Sequence, residues 1–116
     1  MTGIAYTVDE PWQPADRAAL VLAAGERVRV GRVDDEWTAY RWCVSSGGVG
    51  GWVPHDYLHM EDDDTATIVV DYSTAELRVR PGDVVMGYQS AGGWTWCVGR
   101  DGAEGWVPNR VLCCAD

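Results

Sequence analysis

Gly51-Trp52-Val53-Pro54 returns as Gly105-Trp106-Val107-Pro108, at an offset of 54. The same offset holds upstream, where Trp42-Cys43-Val44 is answered by Trp96-Cys97-Val98. Tryptophan and cysteine are among the rarest residues, so matches in register at these positions mean that one small unit is written twice. The chain has 116 residues. Each copy is therefore roughly 55–60 residues long, near the lower limit at which a core folds without a metal or disulfide. The expected organisation is a first repeat over 1–60, an acidic linker over 61–66 and a second repeat over 67–116.

The composition is that of a globular protein, with 14 glycines, seven tryptophans and no phenylalanine. Many glycines between short apolar runs favour tight turns and short strands over helices. Eighteen acids against nine bases give a net charge of −9. Such a surface repels phosphate backbones, so nucleic-acid binding is disfavoured, and a basic partner is favoured. No stretch approaches the ~20 apolar residues of a membrane span. The first residues lack a basic region followed by an apolar run, so no signal peptide or membrane partner is expected and the default location is cytoplasmic.

Cys43 and Cys97 fall at equivalent positions of the two copies, which argues against a mutual disulfide and makes them small buried fillers. Cys113 and Cys114 are neighbours that cannot easily close on each other. No cysteine–histidine cluster has zinc spacing, and His55 and His59 read as solvated surface. Asp62, Asp63 and Asp64 lack the glycine and bidentate glutamate of a calcium loop. No metal, cofactor or catalytic constellation is expected, so the chain reads as a non-enzyme.

Strands are expected at Ile4–Val8, Arg27–Val33, Tyr40–Val44, Gly50–Val53 and Leu58–Met60 in the first copy. In the second they are expected at Thr67–Tyr72, Val84–Tyr88, Trp94–Gly99, Ala103–Val107 and Val111–Cys113. Pro54 and Pro108 each stop a strand before one turn of 3₁₀ helix. The run from Ala15 to Ala24 has helix-favouring composition, but its counterpart Glu76–Arg80 alternates like a strand, and it is read as non-helical. Five short strands and tight turns in ~55 residues describe a small bent barrel. The fold class is all-β: two tandem five-stranded barrels able to pack together.

The second copy resembles an SH3 domain along its length. Val70-Asp71-Tyr72 is similar to the end of that family's ALYDY strand. Glu76-Leu77 with Gly82-Asp83 is similar to its ELSF…GD stretch, and Gly93-Trp94-Thr95-Trp96-Cys97 to its GDWW.A segment. Gly102 to Val111 resembles the G..G[WY]VPSNYV ending. The first copy is looser at its start, but Gly51 to Leu58 matches the ending closely. The resemblance implies a binding module: a groove of aromatic rings and a proline that accepts a polyproline ridge, with acidic loop residues pairing to a flanking Arg or Lys.

Carried over residue by residue, the first copy offers Tyr6, Tyr40, Pro54 and Tyr57, with Asp9, Glu10 and Asp16 as cation partners. Either Trp37, in a three-residue insertion, or Tyr40 takes the groove tryptophan position. The second copy offers Tyr72, Trp94 and Pro108. Val70 and Val111 replace two of its groove tyrosines, and the loop Ser73–Glu76 is short, so the first copy is the better ligand site. Trp52 and Trp106 either face ligand or cover the barrel end. Trp42 and Trp96 face away from the groove and are candidates for an interface between repeats. Pro11-Trp12-Gln13-Pro14 is itself a PxxP; it is read as a proline-punctuated loop, the other reading being a segment docked in a groove.

The expected function is binding of a basic, proline-containing peptide or protein segment, mainly by the first copy. Three alternatives stay open. The chain would be an acidic inhibitor or immunity-type protein against a basic enzyme, a module that recognises cell-wall peptide, or a self-associating structural protein.

Overall fold

A computed structural model describes residues 3–14 and 18–114. Among the described residues twelve strands follow one another: β1 (Ile4–Val8), β2 (Val21–Leu22), β3 (Arg27–Val33), β4 (Tyr40–Val44), β5 (Gly50–Pro54), β6 (Leu58–Met60), β7 (Thr65–Ile68), β8 (Tyr72–Ser73), β9 (Val84–Ala91), β10 (Trp94–Val98), β11 (Glu104–Pro108) and β12 (Leu112–Cys114). Single 3₁₀ turns, His55–Tyr57 and Asn109–Val111, follow β5 and β11. Pro54 and Pro108 set these turns up, because their fixed φ of −56° and −61° places an extended residue immediately before each turn. The described part of Ala15–Ala24 carries the short strand β2 and no helix.

Alternation explains the strands. In β3, Val28 and Val30 are buried while Arg27 and Arg29 are exposed. The two cysteines at equivalent places, Cys43 and Cys97, are fully buried, each one strand across from the middle of β3 or β9. Burial pushes both thiols up to about 11, although Arg41 pulls Cys43 slightly the other way.

The strands pair in three sheets. One has the order β11-β10-β9-β1-β12, another β5-β4-β3-β7-β6, and a two-stranded piece joins β2 to β8. Where the sequence leads one to expect closed five-stranded barrels, the ladders form two open five-stranded sheets.

The pairing crosses the boundary between the repeats. β1, from the first repeat, lies between β9 and β12 of the second, with Tyr6 opposite Val85 and Cys114. β7, assigned above to the second repeat, lies between β3 and β6 of the first, with Ala66 opposite Val28 and Met60. The compact units are accordingly Met1–Asp16 with Ala75–Asp116, here the split unit, and Arg17–Thr74, the inserted unit. These bounds replace the division into 1–60 and 67–116. The acidic run over 61–66 is a hairpin turn and the start of β7 instead of a linker. Glu61 N–H donates to Thr65 O, and Asp62 Oδ1 accepts from Asp64 N–H, which reverses the chain within the inserted unit. Hydrogen bonds to the Asp62 carboxylate, first from the Asp64 backbone N–H, hold it below its usual range.

Each unit keeps its own core. In the split unit Val8, Leu77, Val79, Val85, Cys97, Val107 and Val111 cluster, with Tyr6, Trp12 and Leu112 packed against them. In the inserted unit Leu20, Leu22, Val28, Val53, Ala66 and Ile68 are buried.

Candidate functional site

Both units carry an aromatic cluster beside the 3₁₀ turn, and the strand exchange decides its members. In the inserted unit Tyr57 and Tyr72 meet edge to face, with centroids 5.4 Å apart and planes at 78°. Tyr72 is placed by the β2–β8 pairing, and its hydroxyl donates to the Trp52 carbonyl at 3.0 Å. Tyr40 lies opposite Pro54 in the β4–β5 ladder. Tyr40 is 6% exposed and Tyr72 7%, and Pro54 is buried as well. Burial, with Tyr57 nearby, raises the Tyr40 hydroxyl well above its ordinary pKa. Of this cluster, only Tyr57 is half-buried. Beside it Val69 donates its N–H to Tyr57 O, and Val69 and Val70 are exposed.

In the split unit the corresponding residues are Trp12, Trp94 and Pro108. Trp94 lies opposite Pro108, as Tyr40 lies opposite Pro54. Trp12 is held by its antiparallel bridge to Val79, with hydrogen bonds in both directions of 3.0 and 3.1 Å. Its ring meets Trp94 edge to face, centroids 5.3 Å apart and planes at 80°. Pro108 is fully buried, whereas Trp12 and Trp94 are both half-buried and offer surface.

The charges around Trp12 are specific. Its Nε1–H donates to Glu76 Oε1 at 2.9 Å, and the Arg110 guanidinium lies 5.4 Å from its ring centroid. Asp9 donates its backbone N–H to Val111 O, at the position Val69 holds against Tyr57. The exposed Asp9 and Glu10 of the split unit thus stand where the inserted unit has the exposed Val69 and Val70.

This arrangement regroups the residues expected from the sequence. Tyr6 does not join Tyr40, Pro54 and Tyr57; it belongs to the split unit and packs on that unit's core. Tyr72 joins Tyr57 instead of Trp94. Tyr40 takes the position equivalent to Trp94, and Trp37 lies in the preceding loop, where its carbonyl accepts from Tyr40 N–H. Trp106 is 6% exposed, paired across the ladder with Trp96 at 5.4 Å, and is a covering residue. Trp52 is half-buried against Trp42 at 5.1 Å, with the Arg32 guanidinium 5.0 Å from its ring centroid. Asp16 lies outside the described residues.

Glu76 and Arg110 are members that the sequence reading left out, and Trp12 entered it only through the second reading of Pro11-Trp12-Gln13-Pro14 as a segment docked in a groove. A signal for Trp12 exists: Thr7-Val8 and Thr67-Ile68 are one motif at an offset of 60, and the same offset places Trp12 on Tyr72.

The split unit also has a cleft of about 1100 Å³, whose walls include Arg78, Asp83, Arg100, Asp101 and Glu104. It contains both charge signs and no aromatic ring. Among the described residues no group of His, Cys, Asp and Glu is arranged to hold a metal ion, and no helix is long and apolar enough to cross a membrane. No known protein family, curated protein or solved structure matches the chain.

Proposed function

We propose that the two units are SH3-like modules with exchanged first strands, and that the protein is a non-catalytic, cytoplasmic binding module. Its ligand is an extended, proline-containing segment flanked by a basic residue, and the split unit takes it. The observation that carries this reading is the half-buried Trp12–Trp94 pair, with Trp94 opposite Pro108, Trp12 bonded to Glu76, and the exposed Asp9 and Glu10 just before Trp12 in the chain. Perpendicular, half-buried aromatic rings offer surface to an extended ridge, which loses little entropy on docking. The carboxylates select for a cation beside that ridge, and Arg110 already shows a guanidinium stacked on Trp12. The inserted unit has valines where these acids stand, and its Tyr40 and Tyr72 are buried where the split unit has the half-buried Trp94 and Trp12. It therefore ranks second as a ligand site, the reverse of the order expected from the sequence.

An NMR titration of the whole chain with Arg-flanked PxxP peptides tests the proposal. Shifts at the Trp12 and Trp94 indole N–H groups, weakened by salt and removed by Trp94→Ala, are the expected result. Shifts confined to Tyr57 would move the site to the inserted unit. No shift with any peptide would overturn peptide recognition and leave a folded basic partner as the ligand to seek.

A further inference from the structure

We propose that the exchange of β1 and β7 is locked by two size-reversed pairs, Tyr6 with Gly87 in the split unit and Ala66 with Val30 in the inserted unit. The two positions correspond closely. Gly87 pairs with the buried Cys97, and Val30 with the buried Cys43. Tyr6 lies opposite Val85, two residues before Gly87, as Ala66 lies opposite Val28, two residues before Val30.

At these equivalent places the bulk is distributed in opposite ways. A Cβ on Gly87 would lie 2.7 Å from Tyr6 Cε2 and 2.8 Å from Thr95 Cγ2, so the tyrosine ring fills the space a side chain would need. In the inserted unit the strand residue is the small Ala66, fully buried, and β3 supplies the bulk as Val30, also buried.

The chain has an alternative closure in which each first strand pairs within its own repeat. β1 and β7 are interchangeable as backbones: both are short, both pair antiparallel with two neighbours, and both carry Thr followed by a buried β-branched residue. Side-chain volume tells them apart. In the local closure Tyr6 would be driven onto Val30, an overpacked contact, and Ala66 would face Gly87, leaving a ring-sized void. Both errors occur together, so the exchanged closure wins by two terms of the same sign, and the wrong pairing is actively rejected. The lock also fixes which aromatic reaches Trp94, because Trp12 follows β1 and Tyr72 follows β7.

Exchanging the two strand residues in the full chain, Tyr6→Ala with Ala66→Tyr, tests the lock. Cross-strand NOEs identify the partners. The unaltered protein is expected to connect position 6 to 85 and position 66 to 28. The double variant is expected to connect 6 to 28 and 66 to 85. Unchanged connections in a folded double variant would overturn the proposal, as would a 6-to-28 connection in the unaltered chain. If the double variant does not fold, the cycle of Gly87→Val and Tyr6→Ala decides. Gly87→Val alone is expected to lower Tm by about 4–12 °C. Adding Tyr6→Ala is expected to restore at least half of that loss. Strictly additive losses would overturn it.

Discussion

Trp12 and Trp94 stand edge to face at 5.3 Å although they lie near opposite ends of the chain. Their meeting requires that β1 leave its own repeat. Trp12 is then tied down three ways: by the Val79 bridge, by its Nε1–H on Glu76 and by the ring contact itself.

The Nε1–H can be removed without the ring. Trp12→Phe keeps an edge toward Trp94 but leaves the Glu76 carboxylate without this donor. A part-buried hydrogen bond to a charged group contributes roughly 1.5 kcal/mol, so a Tm loss of about 4–6 °C is expected. Trp12→Ala, which also strips packing from the split-unit core, is expected to cost about 3 kcal/mol or more. Thermal melts of both variants check the ordering: a Trp12→Phe melt equal to that of the unaltered protein would show that the Glu76 bond contributes nothing, and equal melts of the two variants would show that the ring packing contributes nothing.

The exchange also predicts which fragments fold. Arg17–Thr74 contains every strand of β5-β4-β3-β7-β6 together with β2 and β8. Expressed alone, it is expected to give dispersed amide resonances and a cooperative melt. The fragment 61–116, a natural cut from the repeat pattern, lacks β1 and so removes the strand that both β9 and β12 pair with. It is expected to be unfolded or aggregated.

Most elements were legible in the sequence, although the single strand expected at Thr67–Tyr72 is two, β7 and β8; the partners were not legible. Val28 and Val30 alternating with arginines mark β3, and the two Gly-Trp-Val-Pro motifs mark β5 and β11 with the 3₁₀ turns that follow. These signals are local: side-chain period, turn chemistry and the fixed φ of proline. The choice between β9 and β3 as partner for β1 is non-local. It rests on Tyr6 against Gly87 and Ala66 against Val30, a volume match that shows only after the strands are laid side by side. The same gap explains the candidate site. Tyr40, Pro54 and Tyr57 fall together in the inserted unit, whereas Tyr6 and Tyr72 follow the strand exchange to the opposite units.

The two motif glycines are expected to differ in tolerance. A Cβ on Gly105 would lie 2.5 Å from the Glu76 carbonyl carbon and 2.6 Å from Leu77 N, backbone atoms held by the Glu76–Trp106 bridge. A Cβ on Gly51 would meet the side chains of Thr74 and Leu20, at 2.9 and 3.0 Å. Side chains yield more easily than a paired backbone. Gly105→Ala is therefore expected to cost about 2–3 kcal/mol and Gly51→Ala about 1 kcal/mol, measured by urea unfolding. A larger loss for Gly51→Ala would contradict the close backbone approach at Gly105.

Cys43 and Cys97 should make the protein sensitive to base. Both thiols are pushed up from an ordinary value of 9.0 to about 11. Below pH 9 the folded and unfolded states both hold these protons, so the thiols give stability no pH dependence. Between about 9 and 11 the unfolded state releases them and the folded state retains them. Stability therefore falls as pH rises through that window, by up to about 1.4 kcal/mol per thiol for each pH unit. Urea midpoints measured from pH 8 to 11 are expected to decline, and Cys43→Ala with Cys97→Ala is expected to flatten the decline. A thiol reagent at pH 8 gives an independent reading. The exposed Cys113 and Cys114 should react quickly, while Cys43 and Cys97 should react only on unfolding. Four equally fast thiols would show that the two cores open under native conditions.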